Sequence, residues 1–163
     1  MEEDLQGLLN KAFFFLKFRP RTVVEMRRYL YKKIIKTHWS RPDTEKVIDH
    51  LVEVELLDDK KFVGMFIEDR KNLKPKGRFV LKQELIKHGI DKKLIDDYFE
   101  KNSINEESLA EKALLRRWLR FKNLAPEKRF QKASQFLLRR GFEYETVKKT
   151  IKKITSEFIH NVY

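Results

Sequence analysis

Between Lys112 and Lys153 the chain carries 14 Lys and Arg against 3 Glu (Glu127, Glu143 and Glu145). Arg116, Arg117, Arg120 and Lys122 stand together with Trp118 and Phe121 interleaved. Lys128, Arg129 and Lys132 follow, then Arg139 and Arg140, then Lys148, Lys149, Lys152 and Lys153. Arg116 and Arg120, like Lys149 and Lys153, are four apart and share a face of any helix they occupy. Cations so spaced can meet phosphates along a nucleic-acid backbone, giving strong binding that does not depend on sequence. The alternative is a solvated helix face that only keeps the protein soluble. With so few acids nearby, a polyanionic partner is the better explanation. Of the formal charge of +12, this stretch supplies +11, which leaves +1 for everything else. A second, smaller basic group is Lys74, Lys76 and Arg78, set around Pro75 and Gly77. Proline and glycine account for a turn there. The cations are not needed for the turn and are either contacts or solvated loop charge.

No catalytic constellation accompanies these cations. There is no cysteine, which excludes disulfides, Cys-zinc sites and thiol chemistry and fits a reducing cytoplasm. His38, His50, His88 and His160 lack metal-ligand spacing, and no G-x-x-x-x-G-K-[ST] loop is present. Asp58 and Asp59 are adjacent and so point different ways; capping a helix is a sufficient role for them. No enzyme activity, metal or cofactor is expected. No apolar run approaches the length of a membrane span, and MEEDLQ is acidic rather than signal-like. Trp118 and Phe121 could stack on bases, but they continue an apolar stripe with Ala110 and Leu114, which favours core packing. His38 and Trp39 fall in an irregular stretch, either exposed to a partner or packed as loop.

Helices must position these groups, because 163 residues with 41% hydrophobic content, five glycines and four prolines suit a helical domain with a real core. The first helix should turn Leu5, Leu8, Leu9, Ala12, Phe13 and Leu16 inward, leaving Phe14 and Phe15 off the stripe. Thr22 to Glu25 forms a capping box for the second, with Met26 and Leu30 inward. After a long connection from Ile35 to Arg41, Val47, Ile48, Leu51 and Val52 form the next stripe. Asp58 and Asp59 cap a helix with Phe62, Val63, Phe66 and Ile67 inward. Leu81 and Leu85 mark the following face, closed by Gly89. Ser103 to Glu106 reads as another capping box, followed by Ala110, Leu114, Trp118 and Phe121. Then come Phe130, Ala133 and Leu137, and finally Val147, Ile151, Ile154 and Phe158.

The pattern repeats. Leu85 to Phe99 aligns without gaps onto Leu137 to Ile151, matching Gly89 to Gly141 and Ile90 to Phe142. Pro20, Pro75 and Pro126 each stand between a first and a second helix. The expected fold is all-α: three tandem three-helix repeats over 1–57, 58–102 and 103–163. The first has an insertion near 35–41. Units this small bury little alone, so they should stack into an elongated, curved body.

The middle stretch carries a resemblance. Leu56, Leu57, Asp58, Asp59, Phe62, Phe66, Arg70 and Gly77, then Gln83, Glu84, Leu85, Gly89, Ile90 and Asp91, closely resemble the centre of the RecX family, bacterial regulators of the RecA recombinase. The resemblance implies the helical-repeat fold. It also implies binding to the RecA filament on single-stranded DNA, with suppression of RecA ATPase and strand exchange, in recombinational repair and the SOS response in the cytoplasm. Candidate contacts with DNA or protein are Lys74, Lys76, Arg78, Arg116, Arg117, Arg120, Lys122, Lys128, Arg129, Arg139 and Arg140. Single-stranded DNA is the expected nucleic acid, with non-specific duplex binding also possible in principle, and the chain is expected to act as a monomer away from membranes. The competing reading is a sequence-specific helix-turn-helix protein, but the cations are spread over several helices without one reading face. A helical scaffold for acidic proteins or RNA would satisfy the composition without explaining the middle motif.

Overall fold

The computed structural model describes residues 5–160, and these form nine helices with no strand among them: α1 (Gln6–Leu16), α2 (Val23–Lys33), α3 (Arg41–Glu53), α4 (Asp59–Leu73), α5 (Arg78–Lys87), α6 (Lys92–Lys101), α7 (Glu106–Trp118), α8 (Pro126–Arg139) and α9 (Tyr144–His160). They follow one another as three-helix repeats, α1–α3, α4–α6 and α7–α9. By contact the chain divides into two compact units. One holds the described residues up to Met65 with Leu85–Asp96; the other holds Phe66–Glu84 with those from Asp97 onward.

In the first unit, Leu8, Leu9, Ala12, Met26, Leu30, Val47, Ile48, Leu51 and Leu57 pack as one core. Two expected inward residues face out instead, Phe13 and Val52. Phe15 takes the place of Phe13: its ring stacks on Tyr29 at 4.0 Å, with the Arg21 guanidinium 3.8 Å from its centre. The α2–α3 connection contains Lys36 at φ 63° and brings Trp39 against this core. Gly7 in α1 makes room for that ring, since a Cβ there would come 2.8 Å from it. Trp39 is therefore loop packing.

The expected box at α2 forms, and α3 opens on a second one. Thr22 Oγ1 accepts from Glu25 N–H while Glu25 accepts from Thr22 N–H, and Ser40 and Asp43 do the same at α3. Asp58 caps α4 by accepting from Lys61 N–H at 2.9 Å. Asp59 does not share that task. It accepts from Val23 N–H at 2.9 Å, capping the first turn of α2. Thr22 Oγ1–H also donates to the His88 carbonyl at 2.6 Å. These bonds join the first repeat to the start of α4 and the end of α5.

The second unit buries Leu109, Ala110, Ala113, Leu114, Trp118, Ala133, Phe136, Leu137, Phe142, Val147, Ile151 and Ile154. Its helices depart from the sequence reading in phase. Helix α7 starts at Asn105, whose side chain accepts from Ser108 N–H at 3.0 Å, so Ser103 is no cap. Glu106 instead accepts from Arg78 N–H at 2.8 Å, the same service to α5 that Asp59 gives α2. Along α8, Phe130 is 39% exposed and Phe136 only 6%. Phe158 also lies outward, at 39%.

Helices α5 and α8 end alike. Gly89 and Gly141 sit at φ 83° and 84°, where a side chain is strained. Ile90 and Phe142 N–H reach back to Leu85 and Leu137 carbonyls, closing Schellman turns. At the start of α5, Gly77 N–H donates to the Arg140 carbonyl at 2.8 Å. That bond is the counterpart of Thr22 on His88.

Candidate nucleic-acid interface

Four of the expected contact residues, far apart in sequence, line one cleft. Lys74 lies on the α4–α5 linker, Arg116 and Arg117 on the last turn of α7, and Arg140 just past α8. With Leu73, Pro75, Ala113 and Phe136 they enclose about 170 Å³. Arg116 donates to the Leu73 and Asn72 carbonyls at 2.7 and 2.8 Å, satisfying the free end of α4 as cations near a helix C-terminus do. Arg140 donates to the Pro75 carbonyl at 3.1 Å, and Lys112 to the Lys71 carbonyl at 3.1 Å. Arg117 and Arg140 hold their guanidinium carbons 5.2 and 5.0 Å from the centre of the Phe136 ring, a cation–π arrangement that fixes both planes.

The electrostatics of the cleft are lopsided. Burial, and next the charges of Arg117 and Arg116, push the Arg140 pKa below its ordinary value. Among the described residues no carboxylate forms an ion pair with Arg116, Arg117 or Arg140. The acid whose charge acts on Arg140 is Glu84, which is already engaged by Arg70 at 3.1 Å and by Lys76. Burial raises the Glu84 pKa, but those two cations outweigh it and hold it below the usual carboxylate range.

The other expected contacts are placed differently. Lys76 turns to Glu84 and is largely covered. The Arg78 guanidinium lies 5.0 Å from the centre of the Phe99 ring. Arg120, Lys122, Lys128 and Arg139 are exposed. Arg129 is half-buried, donates to the Lys122 carbonyl at 3.2 Å and stands 5.9 Å from the centre of the Trp118 ring. Trp118 itself is 1% exposed, so core packing, not base stacking, is its role. On α9, Lys149 and Lys153 pair with Glu107 and Glu111 of α7 at 3.3 and 2.6 Å, and Lys148 pairs with Glu145 at 2.8 Å. The positive field left unpaired therefore concentrates at the ends of α7 and α8, not on α9. Sequence reasoning missed Lys112 as a linker anchor, because the carbonyl it meets lies 41 residues earlier, and Phe136 as the floor of the cleft, because Arg117 and the α4–α5 linker reach it only through the fold. Among the described residues, no cluster of three His, Asp or Glu could hold a metal, and no helix is long and apolar enough to cross a membrane.

Residues 58–98 match the second three-helix domain of RecX, and residues 105–151 the third. Together the two matches cover more than half of the chain. The chain belongs to the RecX family. It is 34% identical over 145 residues to the regulatory protein RecX of Halalkalibacterium halodurans, covering 86% of this chain and 52% of that protein. It is 30% identical over 149 residues to the regulatory protein RecX of Streptococcus agalactiae serotype V, covering 91% and 55%. The chain thus spans about half the length of the curated relatives it matches. The crystal structure of RecX from Lactobacillus salivarius superposes with a TM-score of 0.75 at 22% identity, over 95% of this chain and 99% of that one. RecX architecture, all-α with tandem three-helix domains, is therefore the architecture here.

Proposed function

We propose that this RecX chain is a non-enzymatic cytoplasmic regulator that binds the RecA filament on single-stranded DNA and restrains its ATPase and strand exchange. The observation that carries the reading is the set of cations at the ends of α7 and α8 that have no carboxylate partner among the described residues. Such a surface attracts a phosphodiester backbone by charge and counterion release, independent of base sequence. The first repeat, with little net charge, is left for protein contact. Many modest contacts on one filament then add through effective concentration, so no single site needs to be tight.

The test is the single-stranded-DNA-dependent ATPase of the cognate RecA, titrated with the chain as a monomer. Suppression below one molecule per RecA protomer is expected. Reversing Arg116, Arg117 and Arg120 to Glu should weaken it while the helical fold remains by circular dichroism. Unchanged ATPase at saturating chain, with salt-sensitive DNA binding intact, would remove RecA from the reading. Strong preference for one duplex sequence would favour a helix-turn-helix repressor instead.

A further inference from the structure

The cleft of Lys74, Arg116, Arg117 and Arg140 is more than part of a diffuse basic face. At about 170 Å³ it lies below the roughly 300 Å³ at which pockets for whole small molecules begin. It has room for about five molecules the size of water. A single tetrahedral oxyanion with a few waters fits that space; a whole nucleoside does not. The cleft also differs from a solvated helix face in how its cations are held. Arg116 and Arg140 are tied to main-chain carbonyls of residues 72–75, and Arg117 and Arg140 are oriented over Phe136. Each guanidinium has five N–H donors in a fixed fork, so these contacts leave most of the donors unspent. Like charges brought this close repel one another, and Glu84, the acid whose charge acts on Arg140, is committed to Lys76 and Arg70. A bound anion would relieve that repulsion, and rigid forks match the oxygens of a phosphate.

We propose that this cleft is a discrete site for one phosphate group, seated between Arg117 and Arg140 and bounded by Lys74 and Arg116. The site stands on its own geometry; only the assignment of its phosphate to a DNA backbone rests on the proposed function. The phosphate could instead belong to a small phosphorylated molecule, which has the same chemistry at the cleft.

The experiment follows the arginine Nε–H resonances of the whole chain by NMR. Inorganic phosphate is added in one arm and a short oligothymidylate in the other. Phosphate should move Arg116, Arg117 and Arg140 together. Arg117→Gln should weaken phosphate binding roughly 10- to 100-fold, the loss of one charge-assisted contact. Arg117 makes no main-chain bond in the cleft, so this variant should fold. Arg117→Lys, which keeps the charge without the fork, should fall between the two, and Lys101→Gln, exposed on α6, should bind as the parent does. If oligothymidylate competes with phosphate for these resonances, the ligand is a phosphodiester backbone. If phosphate binds and oligothymidylate does not displace it, the site stands with a small-molecule ligand, and the DNA reading of the function fails only if oligothymidylate also leaves the rest of the chain's spectrum unmoved. If oligothymidylate binds the chain while neither ligand moves these arginines, the site is overturned and the DNA reading survives.

Discussion

Glu25 offers a quantitative test of the joint between the first two repeats. Its carboxylate is only 15% exposed. It accepts from Arg19 at 2.7 and 3.1 Å, from Thr22 N–H at 3.1 Å, and contacts His88 Nδ1 at 2.9 Å. Burial is the largest single influence and pushes its pKa up. The hydrogen bonds from Arg19, His88 and Thr22 together exceed it and bring the value from 4.5 to about 2. The unfolded chain takes up this proton below about pH 4.5, the folded chain only near pH 2. The carboxylate's stabilisation is therefore intact above about pH 5 and is lost as acid is added between there and pH 2. The shift corresponds to a ceiling of about 3 kcal/mol. Arg19 is 42% exposed, so solvent screening reduces this to about 1–2 kcal/mol. Glu25→Gln retains an acceptor for Thr22 N–H and loses the charge. In a Trp118→Phe background, Trp39 remains as the fluorescent reporter of this unit, because the chain has only two tryptophans. Urea unfolding should then show Glu25→Gln less stable by about 1–2 kcal/mol at pH 7, with the gap more than halved at pH 3. A gap that is absent, or equal at both pH values, would refute the assignment of the clamp to the Glu25 charge.

Substitutions at two further positions probe the joints. Gly77→Ala would drive a Cβ into the carbonyl of Gly141 and to 2.7 Å from Phe142 N. Main chain cannot move aside as a flexible side chain can, so urea unfolding followed by Trp118 fluorescence should show a loss of more than about 3 kcal/mol. Burial raises the Asp59 pKa, against the bond from Val23 N–H, so folding favours its protonated form and its contribution weakens as pH rises. Asp59→Asn keeps an acceptor without the desolvated charge and should be within about 0.5 kcal/mol of the parent, or above it, at pH 7. Asp59→Ala strands the Val23 N–H and should cost about 1–2 kcal/mol. Thermal melts at pH 7 would show the two variants equally displaced from the parent if the charge, not the hydrogen bond, were what mattered.

What the sequence made legible was local. The capping box at Thr22, the stripe from Phe62 to Ile67 and the glycine stops at 89 and 141 depend on residues within one or two turns, and all appear where spacing places them. What escaped was long-range. Ser103 with Glu106 has the spacing of a capping box, but Glu106 serves the start of α5, 28 residues earlier. Asp59 looks like a cap for its own helix and caps α2. Lys149 and Lys153 read as open cations because their partners lie on α7, 42 residues away. The basic cleft escaped for the same reason. Its four cations were each identified, yet nothing in periodicity says that Arg140 meets the carbonyl of Pro75.

The two joints also bear on how such a chain can diverge. At one, a threonine hydroxyl donates to the carbonyl of a histidine; at the other, a glycine amide donates to the carbonyl of an arginine. The acceptor is main chain in both, and in one the donor is too, so these two hydrogen bonds do not themselves depend on which side chain stands at position 88 or 140. The geometry is inherited through peptide groups and left-handed glycines while the identities around them change. A family assembled in this way can keep its architecture at 22% identity, and can turn the residues flanking each joint to new purposes, a histidine clamp in one copy and an arginine-lined cleft in the next.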